Sequence, residues 1–457
     1  MEMSVDLSRV TALTPGGSRL TVYPVDRRRI REMYRQKLVT AHGAVKLIKS
    51  CHNVVLPLGC GEPEALVTAM GERAGELRDV KVHQMLPLRK SAYLDQSLSG
   101  SFCHVSWFTS GANRQGVNEG WSDYMPAHFH DIPKMISDYV DVDVFMGTVS
   151  PMDDRGYFSF GLSVDYTTTA ASRAKTVIIE VNPNMPRTRG HSLIHISEVD
   201  YIVESGSPIP ELSIPQATVE DEIIGACIAE LIEDGSTIQL GIGGMPNAVA
   251  RALINKKNLG VHTEMITDGM VDLVEAGVIN GREKSLHPGK IIGSFAAGTR
   301  RLYDFLNENP LVEMYPVSYV NDPFIIGQNS KMVSINASLE VDLFGQCASE
   351  SIGPVQYSAT GGQSDFARGC LRSPGGKGFI ALKSTARKGT LSKIVPLLKQ
   401  GSQVSCSRND VDHLVTEYGV AKLRGKTSRE RAREIIAVAH PDFRPQLREA
   451  ALKMGLM

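Results

Sequence analysis

No apolar run in the sequence approaches the ~18 to 20 residues that a membrane-spanning helix needs. Met1 to Val10 (MEMSVDLSRV) also lacks the basic-then-apolar layout of a signal peptide. A cytoplasmic protein that does not contact membrane is the expectation. Neither sign of charge is in excess, since 49 basic and 50 acidic residues leave a formal net charge of −1. Without a global field to hold a polyanion, nucleic acid is not an expected partner. Cysteine is scarce: the seven present (Cys51, Cys60, Cys103, Cys227, Cys347, Cys370, Cys406) are odd in number, scattered and never spaced CxxC. That pattern argues against a disulfide framework or structural zinc and for reduced thiols. GxxxxGK[ST], HExxH and GxSxG are all missing, which removes support for nucleotide triphosphate chemistry, zinc peptidases and serine hydrolases. His128-x-His130 would set two rings on one face of a strand, but no carboxylate or cysteine lies at ligand spacing. It reads as a packed or surface pair, and no metal is expected. The basic run Arg27 to Arg35 reads as a solvated helix face.

What is present is ordinary globular usage: 42% hydrophobic and 22% charged residues over 457 positions, enough for two or three domains. Val- and Ile-rich runs such as Thr176 to Glu180 and Lys290 to Phe295 alternate with helical patterns, which predicts an α/β fold with parallel sheets. Three prolines and a glycine between Glu204 and Pro215 mark a linker. The expectation is therefore two lobes, 1–210 and 216–457. The lobes look related. Val54 to Leu66, with its Gly59-Cys-Gly61-Glu62 turn, parallels Ile238 to Val249, and each reads strand, glycine turn, helix. Glycine loops at the carboxyl ends of parallel strands are where such sheets bind ligands.

Gly241-Ile242-Gly243-Gly244-Met245-Pro246 follows a strand and opens a helix, so its N–H groups could face an anion. Pro246 takes the third glycine's place and excludes a dinucleotide fingerprint. A tight turn that needs glycine only for positive φ is the other reading. Glu264, one βα unit later in Val261-His-Thr-Glu264, could face that loop as nucleophile or general base, or merely cap a helix from Met270 to Ala276. Near the end, Thr427-Ser-Arg-Glu430 fits a capping box that opens a helix closed by His440-Pro441.

Eight stretches together resemble the 4-hydroxybutyrate CoA-transferase and acetyl-CoA hydrolase/transferase family. They are VNPNMPRT at 181–188, GIGGMPNAVA at 241–250, VHTEMITDG at 261–269 and VNDPFIIGQN at 320–329. Further on come SINASLEVDLFGQ at 334–346, TGGQSDFARG at 360–369, STARKG at 384–389 and VTEYGVAKLRG at 415–425. The resemblance implies two tandem CoA-transferase lobes, mostly parallel sheets and an active site between them. It places the nucleophile on Glu264 and CoA contacts on Gly241, Ile242, Gly243, Gly244 and Met245. Further CoA contacts fall on Leu339, on Gly362 and on Arg387 or Lys388. Asn321 and Glu417 match polar catalytic positions, and Glu62 and Gln363 are candidate acyl-substrate contacts.

The implied reaction moves CoA between short-chain carboxylic acids through a glutamyl-CoA thioester. Among the plausible acids are 4-hydroxybutyrate, butyrate, acetate, succinate and itaconate. Acyl-CoA and a carboxylate are substrates, no cofactor is permanently bound, and a homodimer is expected. An acyl-CoA hydrolase using the same site, and a non-catalytic sensor of acyl-CoA or sugar phosphate, remain alternatives at this point.

Overall fold

The computed structural model describes the backbone of residues 10–13 and 19–22, and residues 26–213, 216–241 and 243–457 in full. Ile242 of the glycine turn, and Ile214 and Pro215 of the linker, therefore lie outside the described residues.

Two large sheets carry the fold. The first has seven strands in the spatial order Tyr201–Glu204, Thr176–Val181, Val144–Val149, Asn53–Val55, Val80–Met85, Phe102–Phe108 and Ser122–Tyr124. All adjacent pairs are parallel. The second has nine: Arg189–Gly190, Val312–Met314, Ile291–Gly293, Gly260–His262, Thr237–Leu240, Met332–Ala337, Lys377–Ala381, His413–Thr416 and Gly419–Lys422. Only its last pair is antiparallel. Covered on both faces, such strands need not alternate polar and apolar residues, and Val144–Val149 and Thr237–Leu240 are buried throughout.

The order repeats. In each sheet the earliest of the seven principal strands, Asn53–Val55 or Thr237–Leu240, lies in the middle. The next three run outward on one side and the last three on the other. The order therefore reverses beside each central strand, which opens a crevice at the carboxyl ends there. The turns at Gly59–Gly61 and Gly241–Gly244 leave those two strands and lead into helices Glu64–Glu72 and Gly244–Ala252. The relation between the halves seen in the sequence is thus a duplicated topology. The capping box of Thr427 and Glu430 is present, opening helix Ser428–Ala437.

The lobes are tied through one continuous apolar core, which includes Val55, Trp107 and Phe145 of the first half and Ile238, Val261 and Phe295 of the second. Val164 donates its N–H to Ser294 O at 3.0 Å, and Ala296 donates to Leu162 O at 2.9 Å. Met265–Ile266, immediately after Glu264, pairs with Phe295–Ala296. The first lobe thus braces the strand that braces the candidate nucleophile. A second tie comes from Arg189–Gly190, which joins the edge of the second sheet beside Val312–Met314.

Gly190 sits at φ 91°, and a Cβ there would lie 2.4 Å from Met314 O. Gly190→Ala should therefore cost about 1 to 3 kcal/mol by breaking this pairing. Denaturant unfolding checks it, and unchanged stability would show that the cross-lobe strand is dispensable.

Candidate functional site

Glu264 stands at the carboxyl end of Gly260–His262, which pairs with Thr237–Leu240, the strand that carries the glycine turn. Its backbone is clamped: the carbonyl accepts N–H groups from Ser294 and Phe295, both at 3.0 Å. One residue back, Thr263 Oγ1 donates to Met265 O at 3.0 Å. His262 Nε2 lies 2.8 Å from Val320 O, which fixes the strand against the helix Val317–Val320.

Asn321, the residue that ends this helix, donates from Nδ2 to Glu264 Oε2 at 2.9 Å. A second donor is the backbone N–H of Gly362, which precedes helix Gln363–Arg372. No side chain caps that helix, so its amino end is left to the Glu264 carboxylate, where the helix dipole favours negative charge. Burial nevertheless dominates and pushes the Glu264 carboxyl up to about 7. The Asn321 bond pulls it down, the nearby negative charge of Asp365 pushes it up, and the Gly362 N–H pulls it down. Gly362 has no substitute at this approach, because a Cβ would fall 1.9 Å from Glu264 Oε2 and 2.3 Å from Asn321 Nδ2.

One local alternative for Glu264 thereby falls away. It does not cap the following helix, which runs Asp268–Glu275 from an N-cap at Thr267. Its side-chain hydrogen bonds go to Asn321 and Gly362. The Gly241–Met245 loop lies at the crevice beside Thr237–Leu240. Gly243 takes φ 129°, and helix Gly244–Ala252 starts there without a side-chain cap.

Around the same crevice, Glu417 accepts from Ser384 N at 2.9 Å and from the Ser384 hydroxyl. Lys383 pairs with Asp221 at 3.2 Å, and Asp221 Oδ2 is the atom that a Cβ on Gly244 would meet, also at 3.2 Å. Burial pushes Lys393 down to about 8, Lys383 reinforces the shift, and Glu417 and Asp221 oppose it. Its ammonium donates to Ser338 O at 3.1 Å, next to the half-buried Leu339. Gln363 turns its amide to Ala337 O at 3.2 Å, at the end of strand Met332–Ala337. Arg387 and Lys388 form an exposed turn, both at positive φ.

Glu62 is elsewhere occupied: its carboxylate accepts from Gln84 Nε2 at 2.7 Å, Ser91 Oγ at 2.8 Å and Tyr93 OH at 2.9 Å. It makes no hydrogen bond to Glu264 or Asn321. The basic run forms helix Arg27–Lys37, in which only Ile30 is buried. Arg31 and Arg35 line an open cavity of about 710 Å³ with Val181 and Glu204, and no candidate site residue borders it.

Sequence reasoning missed one cluster. His128 and His130 do not lie on a strand: they flank Phe129 at the 3-10 turn Phe129–Asp131, with rings stacked at 5.9 Å. The turn carries them across the lobe junction, where His130 Nδ1 lies 2.8 Å from Asp365 Oδ1 and Phe129 N–H donates to Gly361 O at 3.3 Å. Both partners were visible, as an HxH pair and as the aspartate of TGGQSDFARG, but only the fold joins positions 235 residues apart.

A doubly wound sheet that occurs twice, with glycine turns at both order reversals, defines an α/β protein of the CoA-transferase type. Residues 23–212 match the acetyl-CoA hydrolase/transferase N-terminal domain, and residues 298–451 match the C-terminal domain of the same family. A succinyl-CoA:cyclohexane-1-carboxylate CoA transferase of Geobacter metallireducens is 50% identical over 94% of this chain and 98% of its own length. A 4-hydroxybutyrate coenzyme A transferase of Clostridium kluyveri is 50% identical over 91% and 97%. The crystal structure of RipA from Yersinia pestis superposes with a TM-score of 0.89 at 41% identity, covering 94% of this chain and 100% of that one. The chain belongs to the acetyl-CoA hydrolase/transferase family, and it is a CoA-transferase.

Gly362→Ala should lower transfer about 100-fold by displacing Glu264, with the folded state retained because the neighbouring side chain can move. Steady-state rates beside a thermal melt check this. Wild-type rates would show that the close approach is irrelevant to turnover.

Proposed function

We propose that this enzyme moves CoA between short-chain carboxylic acids by a ping-pong reaction in which Glu264 carries the CoA. The observation that supports it most is the Glu264 carboxylate itself, half-buried at the lobe junction and held by Asn321 and the Gly362 N–H. The ionised carboxylate attacks the thioester carbonyl, and collapse of the tetrahedral adduct expels CoA thiolate and leaves an acyl-glutamyl anhydride. The thiolate attacks the glutamyl carbonyl of the anhydride, forming a Glu264–CoA thioester and releasing the donor acid. An acceptor carboxylate runs the same steps in reverse. Each adduct bears an oxyanion, and the Asn321 amide and the Gly362 N–H are the donors beside it, worth roughly 2.7 to 4 kcal/mol each in such sites.

CoA is read along the crevice, over Gly241–Met245 and Leu339, with its phosphates toward Arg387 or Lys388. Glu417 orders Ser384 next to that path, and Gln363 and Glu62 remain candidate acyl contacts. Succinyl-CoA as donor and 4-hydroxybutyrate as acceptor are the acids we propose first, following the names of the two relatives. The domain reading stays at 1–210 and 216–457, supported by the repeated strand order. A cytoplasmic homodimer is the proposed working form, carried by the family resemblance.

Glu264→Gln should abolish transfer, because the amide is a poor nucleophile of nearly the same size. Retention of a tenth of wild-type activity would refute the assignment. Because the nucleophile is the ionised form and its carboxyl is held at about 7, the rate should rise through an acid limb centred near that pH. Below it, the rate should fall tenfold per pH unit. A rate flat from pH 5 to 8 would place the nucleophile in a different environment.

A further inference from the structure

Two features of the site have no place in the steps above: a histidine from the other lobe, and a buried aspartate close enough to oppose the ionisation of Glu264. Asp365 sits in the first turn of helix Gln363–Arg372, three residues after Gly362, with its side chain almost wholly buried. Its oxygens accept from His130 Nδ1 at 2.8 Å and from the His130 backbone N–H at 3.3 Å. His128 Nδ1 stands 3.8 Å away. The charged groups that face the His130 ring are Asp365, Asp131, with Oδ1 3.4 Å from Nε2, and Asp322. Those that face Glu264 reduce to Asp365, with Asn321 and the Gly362 N–H as neutral donors.

A bare aspartate here would work against the reaction. Two carboxylates sharing a low-dielectric site resist ionising together, yet Glu264 must be ionised to attack. We propose that His130 is a positioning residue that, as an imidazolium bonded to Asp365, cancels the charge that Asp365 would impose on Glu264 and fixes the Gly361–Gln363 turn against the nucleophile. This rests on the reading of Glu264 as nucleophile. The ring is suited to the task. Burial disfavours its charge, but the Asp365 bond and the fields of Asp365, Asp131 and Asp322 overcome that and hold its pKa above the ordinary histidine value. The link also makes the site dependent on lobe closure, because the cation comes from residues 128–131 and the turn from 361–363. A site opened at the junction would break the His130–Asp365 contact.

The test is the pH profile of single-turnover acid release from succinyl-CoA or butyryl-CoA, whichever the wild-type enzyme turns over faster. His130→Asn keeps a donor near the Nδ1 position but never carries charge. It should move the acid limb about one unit upward, so that the rate at pH 6 falls about tenfold while that at pH 9 stays within about twofold. Adding Asp365→Asn to it should return the limb to the wild-type position or below, a rescue that independent effects would not give. Asp365→Asn alone should move the limb to lower pH, and this holds the proposal to account even where His130→Asn fails to fold. A limb that stays in place in each variant, or a uniform loss at every pH without rescue in the double variant, overturns the proposal. Glu264→Gln is run alongside. If it keeps wild-type transfer, the nucleophile assignment fails. If it is inactive and the limbs do not move, only the role of His130 fails.

Discussion

The proposed chemistry of the site turns on one conflict: a half-buried carboxylate, Glu264, whose surroundings disfavour its charge, would still have to ionise in order to attack. Burial alone would keep Glu264 protonated. Against burial, which pushes its carboxyl up to about 7, stand two donors that favour the charged form, with one aspartate opposing them. Each donor is delivered by a different element, Asn321 by the end of Val317–Val320 and the Gly362 N–H by the start of Gln363–Arg372. A third set of contacts, from Ser294 and Phe295, holds the Glu264 backbone in place.

The duplicated topology explains why these pieces can meet. Both halves leave their central strand through a glycine turn at the point of order reversal, but the two turns have diverged in chemistry. In the first lobe Glu62 is buried and accepts from Gln84, Ser91 and Tyr93. In the second, Gly243 opens a helix with no side-chain cap beside Asp221, Lys383 and Lys393. Packing binds the two: the strand that follows Glu264 pairs with Phe295–Ala296, and that segment is hydrogen-bonded to 162–164 of the first lobe.

Much of this was legible in the sequence where the signal is local. The α/β alternation, the related βα units and the Thr427 capping box follow from periodicity and cap chemistry, which act within a few residues. From the local residues alone Glu264 was legible as nucleophile, general base or helix cap, since a lone acid after a short strand looks the same in each role, and only the family resemblance placed the nucleophile there. Its real partners lie 57 residues away at Asn321 and, at Gly362, on a later helix. His130 and Asp365 were hidden for the same reason. Each has an unremarkable local reading, and their pairing exists only because the first lobe docks its 129–131 turn on Gly361. The occupation of Glu62 was likewise invisible, since it depends on a strand and a loop that close over the turn.

Intact-protein mass spectrometry after mixing the enzyme with acyl-CoA and no acceptor tests the central claim most directly. The account predicts one equivalent of released acid per site and a CoA-sized increment that peptide mapping places on Glu264, lost when an acceptor acid is added. Continuous acid release with no enzyme-bound CoA, or an increment on another residue, would contradict it.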